Sequence, residues 1–226
     1  MTNGPLQPLR RGAFILLEGC DRSGKSTQAA KLVRQLKARG CRVEHMRFPD
    51  RTTPIGKMID AYLKSTQELD DHAGNDEKIF VKVKVPSSFT SRFSVRLKLV
   101  CSASGTSIVV ERYAYSGIAF SAAKGLDFSW CKSSDVGLLA PDITLFLDLP
   151  ICEAGKRAGF GDERYEKEDF QRNVRSQFLD MKHDDMKIID ARKTIDEIHR
   201  ELVAIAIETI KKCATLPLKD LWKSDD

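Results

Sequence analysis

The chain has no apolar run approaching the length of a membrane span, no cysteines at C-x-x-C spacing, no internal repeat and no low-complexity tract. The first absence argues against a transmembrane protein, and the second against a zinc site or a dithiol redox centre. Cys20, Cys41, Cys101, Cys131, Cys152 and Cys213 lie far apart in sequence, as expected of a protein kept in a reducing compartment. Without repeats or linkers, the 226 residues read as one domain with a polar head at 1–11. That head has no signal-peptide core and is too brief to argue for a transit peptide, so a cytoplasmic setting is expected, with the nucleus also open and the mitochondrion left open. A basic arm is lacking too. The formal net charge of +5 is spread from end to end, which does not favour a nucleic-acid partner and suits small polyanions equally well.

What is present is an ordinary globular composition, 42% hydrophobic and 31% charged, sufficient for one α/β core. Ala13 to Glu18 is a compact apolar run with a turn signal behind it, which suits a buried parallel strand. Gln28 to Arg39 carries Ala29, Leu32, Val33 and Leu36 at helical spacing, with Gly40 as its stop. Arg42 to Arg47, Ser107 to Val110, Ile143 to Asp148 and Lys187 to Ile189 read as further strands, separated by stretches long enough for crossover helices. Thr194 to Ile210 predicts a long closing amphipathic helix, followed by a polar tail that includes Leu221 and Trp222.

Between the first strand and the first helix stands Gly19-Cys20-Asp21-Arg22-Ser23-Gly24-Lys25-Ser26-Thr27, which satisfies G-x-x-x-x-G-K-[ST]. Such a loop turns several backbone N–H groups inward around a polyphosphate, and the following helix adds its free amides and dipole. Lys25 is expected to reach the β and γ phosphates of ATP, and the Ser26 hydroxyl to ligate Mg²⁺ bridging the same oxygens. Asp21 and Arg22 lie where a carboxylate accepts a hydroxyl hydrogen bond and a guanidinium offsets charge on the transferring group; a local salt bridge is the plainer alternative. Cys20 reads as a small loop filler rather than a reactive thiol.

Together with that loop, Phe48-Pro49-Asp50-Arg51, Glu111-Arg112-Tyr113-Ala114-Tyr115-Ser116-Gly117 and Glu163-Arg164-Tyr165-Glu166 make the chain resemble the eukaryotic thymidylate kinase family over roughly Arg11 to Asp71 and Gly105 to Trp222. The resemblance implies a P-loop nucleoside monophosphate kinase fold, a five-stranded parallel sheet in the order 2-3-1-4-5 flanked by helices, with a short lid at 153–169. It also implies ATP-dependent conversion of dTMP to dTDP with Mg²⁺, and a homodimer as the common assembly. Arg51 then resembles the ligand of the acceptor phosphate, and Arg112 a contact between donor and acceptor. Phe48 would line the nucleoside pocket, with core packing as its alternative. Asp21 would hold the sugar 3′-hydroxyl, and Ser116, Gly117 and Gln171 would face the acceptor. Tyr165 would crowd the sugar 2′ position, or simply pack, and Arg157 would lie near the adenine.

Two departures from the family stand out. Glu111 replaces the usual aspartate, extending the carboxylate's reach by roughly 1.5 Å toward a water-mediated Mg²⁺ or 3′-hydroxyl contact. Residues 73–104 lack the family's F-S-A-N-R-W-E, whose Phe and Arg read the thymine base. Ile79 to Val85 alternate like a strand before Pro86, and Arg92 is the candidate substitute for the base-reading arginine; an alternative or misassembled transcript is the other explanation. Three functions follow: a thymidylate kinase, a kinase with broadened choice that also accepts dUMP, and a nucleotide-binding protein with impaired turnover. The histidines, His72 included, are assigned no catalytic role, and His45, His183 and His199 are read as structural or exposed.

Overall fold

The computed structural model describes residues 11–64, 97, 98, 100, 101, 105–157, 161, 163 and 165–223. Arg92, His72, Arg164 and nearly all of the 73–104 segment lie outside the described residues. Five strands, β1 (Phe14–Glu18), β2 (Val43–Arg47), β3 (Ser107–Glu111), β4 (Ile143–Asp148) and β5 (Met186–Asp190), form one parallel sheet in the expected order β2-β3-β1-β4-β5. The central strand β1 and its neighbour β3 are buried at every residue, because helices cover both faces of a parallel sheet there and leave no solvated side.

Alternation along the strands sorts the core into two layers. Ala13, Ile15, Leu17, Val43 and Val109 face α1 (Lys25–Ala38) and α7 (Ile195–Cys213). Phe14, Leu16, Ile108 and Val110 face the other layer, which contains α3 (Ala114–Ala122) and α6 (Glu168–Asp180). Between them in sequence come α2 (Pro54–Lys64), α4 (Phe128–Ser133) and the short α5 (Ile151–Ala154).

Several boundaries differ from expectation, two with consequences. Helix α1 starts at Lys25 rather than Gln28, so Lys25 and Ser26 lie in its first turn. Strand β3 runs on to Glu111, which fixes that side chain by sheet register, opposite Arg47 of β2. Thr194 caps α7 rather than opening it; its hydroxyl accepts from the Glu197 amide while the Glu197 carboxylate reaches back to the Thr194 amide. The tail is not simply polar: Leu221 is buried and exchanges backbone hydrogen bonds with Gly137 and Leu138, and Trp222 sets its ring edge against Tyr115. Gly40, at φ 78°, ends α1 as expected.

β1 and β3 are neighbours whose following connections depart to opposite sides of the sheet, and ligands of open α/β folds bind outside the carboxyl ends of such strands. The glycine-rich loop follows β1 and Arg112 follows β3, so topology alone brings both to this crevice.

Candidate active site

The loop from Gly19 to Ser26 depends on its glycines. Gly19 has φ 148°, and a Cβ there would lie 2.7 Å from both the Leu147 carbonyl oxygen and Ser23 Oγ. Gly24 adopts φ 96° at the N-cap of α1. No side chain caps this helix and its first turn holds no acidic residue, so its positive end is left for an anion.

Lys25 is buried and turned back on its own loop: Nζ donates to the Cys20 carbonyl at 2.6 Å, the Gly19 carbonyl at 3.0 Å and Ser23 Oγ at 3.3 Å. Burial, and then the Arg112 charge, lower its pKa to about 8. Cys20 is almost fully buried, and burial pushes its thiol up to about 12, in keeping with an inert filler.

Asp21 and Arg22 do not pair with each other. Asp21 pairs with Arg112 across the crevice, and its backbone amide and second oxygen are held by Gln171 Oε1 at 3.1 Å and Nε2 at 2.9 Å. Burial pushes the Asp21 carboxyl up, but the Arg112 and Lys25 charges and these hydrogen bonds outweigh it and leave its pKa lowered. Arg22 pairs with Glu166, Nε to Oε1 at 2.8 Å. Both Arg22 and Arg112 take left-handed backbone conformations, φ 59° and 63°, which are costly for a side-chain-bearing residue and tend to persist at functional sites.

Arg112 also donates to Ser116 Oγ at 3.3 Å and lies over the Phe120 ring. Ser116 in turn donates to Glu18 Oε2 at 2.6 Å, while Glu18 Oε1 accepts from the Tyr113 and Ser116 amides. Sequence reasoning assigned Glu18 nothing. A carboxylate ending an otherwise apolar buried strand was the available signal, since such a charge needs partners. Burial raises its pKa.

A cavity of about 460 Å³ opens at this strand edge. Asp21, Arg22, Gly24, Lys25, Ser26 and Thr27 line it together with Phe48, Arg51, Glu111 and Arg112, and Arg157 and Glu163 also border it. Arg51 donates to Asp60 at 2.6 Å and to Glu163 at 2.8 Å, while its buried Nε has no hydrogen-bond partner among the described residues. A guanidinium in a cavity lining, with its two forked donors held only by displaceable carboxylates, suits an oxyanion. Arg157 donates to the Arg22 carbonyl at 2.6 Å and the Ala191 carbonyl at 3.1 Å, which sets it beside the loop.

Ser26 Oγ lies 2.6 Å from Glu111 Oε2, and His45 Nε2 lies 2.8 Å from Glu111 Oε1. His45 is exposed, within what the sequence reading allowed, but it is not isolated, because Glu111 is its partner. Two adjacent hard oxygen donors suit Mg²⁺, which is held by few protein ligands and keeps waters and phosphate oxygens for the rest.

The remaining expected site residues are not among those that line this cavity, although Glu163 and Glu166, on either side of Tyr165, do. Ser116 serves the Glu18 network, Gly117 opens the exposed side of α3, and Gln171 is buried as a brace for Asp21. Tyr165 lies beside Tyr62, hydroxyl to hydroxyl 3.1 Å, with Lys124 Nζ 3.0 Å from its oxygen and 4.2 Å from its ring centre. Arg47, which lines the cavity, went unnoticed in the sequence although it shares the strand face of His45 two residues earlier. A second concavity of about 530 Å³ lies along β5 and α7, with Ile188, Ala204 and Ile205 beside Lys182 and Lys187; neither the glycine-rich loop nor an arginine lines it, so chemistry rather than volume locates the site.

A parallel sheet in this order, with a P-loop and arginines lining one cavity at its carboxyl edge, defines the nucleoside monophosphate kinase class of P-loop proteins. The sequence model of the thymidylate kinase family matches residues 17–202. The chain is 43% identical to the thymidylate kinase of Arabidopsis thaliana, over 99% of this chain and 81% of that one. It is 40% identical to the human thymidylate kinase, over 95% and 99%. Among solved structures it is similar to a thymidylate kinase from Candida albicans, with a TM-score of 0.75 and 37% identity, covering 93% of this chain and 98% of that one. The chain belongs to the thymidylate kinase family.

Proposed function

We propose that the protein transfers the γ-phosphoryl group of ATP to dTMP, giving dTDP and ADP for dTTP synthesis. The observation that carries this reading is the shared cavity, which the P-loop residues line together with Arg51 and Arg112. ATP lies with its β and γ phosphates in the Gly19–Ser26 amides and at the N-terminus of α1, with Thr27 beside them and Arg157 toward the adenine. Lys25 leaves the loop carbonyls for those oxygens, and its displaced contacts cost little because the phosphate supplies stronger, charge-assisted ones. Ser26 and Glu111 would hold Mg²⁺, which would supply neutralisation of phosphate charge when bound.

Arg51, through the forked donors that Glu163 now occupies, and Arg112 hold the acceptor phosphate in line. One of that phosphate's oxygens attacks the γ-phosphorus while the bond to the β-γ bridging oxygen breaks, and ADP departs with the electron pair. A phosphate dianion needs no base at this step, so positioning and charge carry the catalysis. Arg22 releases Glu166 to meet developing negative charge. Phe48 packs on the base, Asp21 holds the 3′-hydroxyl, and Tyr165 excludes a 2′-hydroxyl; Ser116, Gly117 and Gln171 act behind this surface. Residues 153–169 close over the phosphates as a lid.

The test is a coupled assay with MgATP and a panel of monophosphates. ADP formation strongly dependent on dTMP supports the reading, and folded protein that makes no ADP with dTMP overturns it. Turnover of dUMP comparable with dTMP would favour the broadened kinase, the outcome to which the missing F-S-A-N-R-W-E points.

A further inference from the structure

We propose that His45 is a positioning residue for Glu111, holding one carboxylate oxygen so that the other is presented to Ser26 at the phosphate end of the cavity. The proposal rests on the phosphoryl-transfer reading above. Its basis is the geometry of two neighbouring strands. Val43, His45 and Arg47 share the face of β2 that looks toward α1, by strand alternation. Glu111 is the register partner of Arg47, so His45 lies diagonally across from it on the same face.

The carboxylate is almost completely buried, with its side chain 3% exposed, against 34% for His45. An ionised carboxylate only accepts hydrogen bonds, so His45 carries its proton on Nε2 and donates it, and Ser26 donates at the other oxygen. Both oxygens are thereby fixed.

The length of the side chain makes this pairing specific. Glutamate has one torsion more than aspartate, and that extra freedom must be removed for the carboxylate to sit at one place. Aspartate at 111 would withdraw the carboxylate by roughly 1.5 Å and take it out of hydrogen-bonding range of His45. The histidine therefore answers the longer residue: together they place an oxygen beside Ser26 that glutamate alone would hold loosely. Outer partners of metal-facing carboxylates act in this way, orienting the group without touching the ion.

The experiment measures the ratio of ATP dissociation constants in EDTA and in saturating Mg²⁺ by calorimetry, with kcat and KM in parallel, on full-length protein. His45→Leu removes the donor at a strand position that is not deeply buried; His45→Thr, strand-compatible and too short to reach Glu111, is a second variant should leucine fold poorly. The ratio is expected to shrink about tenfold in either variant, with ATP affinity in EDTA and KM for dTMP unchanged and kcat reduced. His45→Gln, which keeps an N–H donor, restores part of the loss. In a Glu111→Asp background, His45→Leu changes the ratio by less than about twofold, because the contact is already gone. A wild-type ratio in both His45→Leu and His45→Thr, or an undiminished loss in the Glu111→Asp background, overturns this proposal alone. Wild-type protein whose ATP affinity gains nothing from Mg²⁺ and which makes no dTDP overturns the phosphoryl-transfer reading as well.

Discussion

Arg51 and Glu163 meet at two points, Nη1 to Oε1 at 2.8 Å and Nη2 to Oε2 at 3.2 Å. A carboxylate of the 153–169 segment thus occupies the two forked donors that the proposed reaction needs for the acceptor phosphate. The neighbouring Arg22 is held in the same manner by Glu166. Both arginines stand paired with carboxylates that phosphate oxygens must displace.

Glu163→Gln should therefore lower KM for dTMP. The pair is partly exposed, so its displacement costs about 1 kcal/mol or less, which corresponds to at most about a fivefold effect. Steady-state kinetics at saturating ATP read this directly. Arg51→Lys moves the other way, raising KM for dTMP by about 100-fold, because an ammonium cannot reproduce the planar fork.

The Asp21–Arg112 pair gives a pH signature. The Asp21 carboxyl lies below its ordinary value of 3.8 in the folded protein, so its ionised form binds the fold more strongly than the unfolded chain. The stability it contributes is complete above that ordinary value and is lost as pH falls through the lowered one. Asp21→Asn should cost about 2 kcal/mol at neutral pH, and its denaturation curve should approach that of the wild type as the carboxylate is protonated in acid. Urea unfolding at pH values of about 7 and about 3 compares the two.

Tyr165 should govern the choice of sugar. Tyr165→Ala is expected to raise kcat/KM for a ribonucleotide relative to dTMP by about tenfold, since it removes the bulk assigned to the 2′ position. Tyr165→Phe keeps the ring and loses the hydroxyl, with its contacts to Tyr62 and Lys124, so it should retain discrimination. Competition assays with paired substrates provide the ratio.

The sheet and the phosphate loop were legible in the sequence because each is written locally. Apolar runs mark buried parallel strands, and Gly19, Gly24, Lys25 and Ser26 stand at fixed spacing between a strand and a helix. Strand order and acceptor residues came from family resemblance rather than periodicity. The pairings were not legible. Asp21 meets Arg112, Arg22 meets Glu166, and His45 meets Glu111, each across two elements far apart in sequence, so only register and crossover geometry bring them together. The Leu221–Trp222 anchor was hidden for the same reason, since its partners Leu138 and Tyr115 are distant in the chain.

The reaction depends above all on a cation that leaves the loop carbonyls for a polyphosphate. The direct measurement is the initial rate of dTDP formation by Lys25→Ala beside the wild type, at saturating MgATP and dTMP, with thermal melting to confirm that both are folded. A fall of at least about 100-fold in kcat is predicted, and an unchanged rate in folded Lys25→Ala protein would contradict the account.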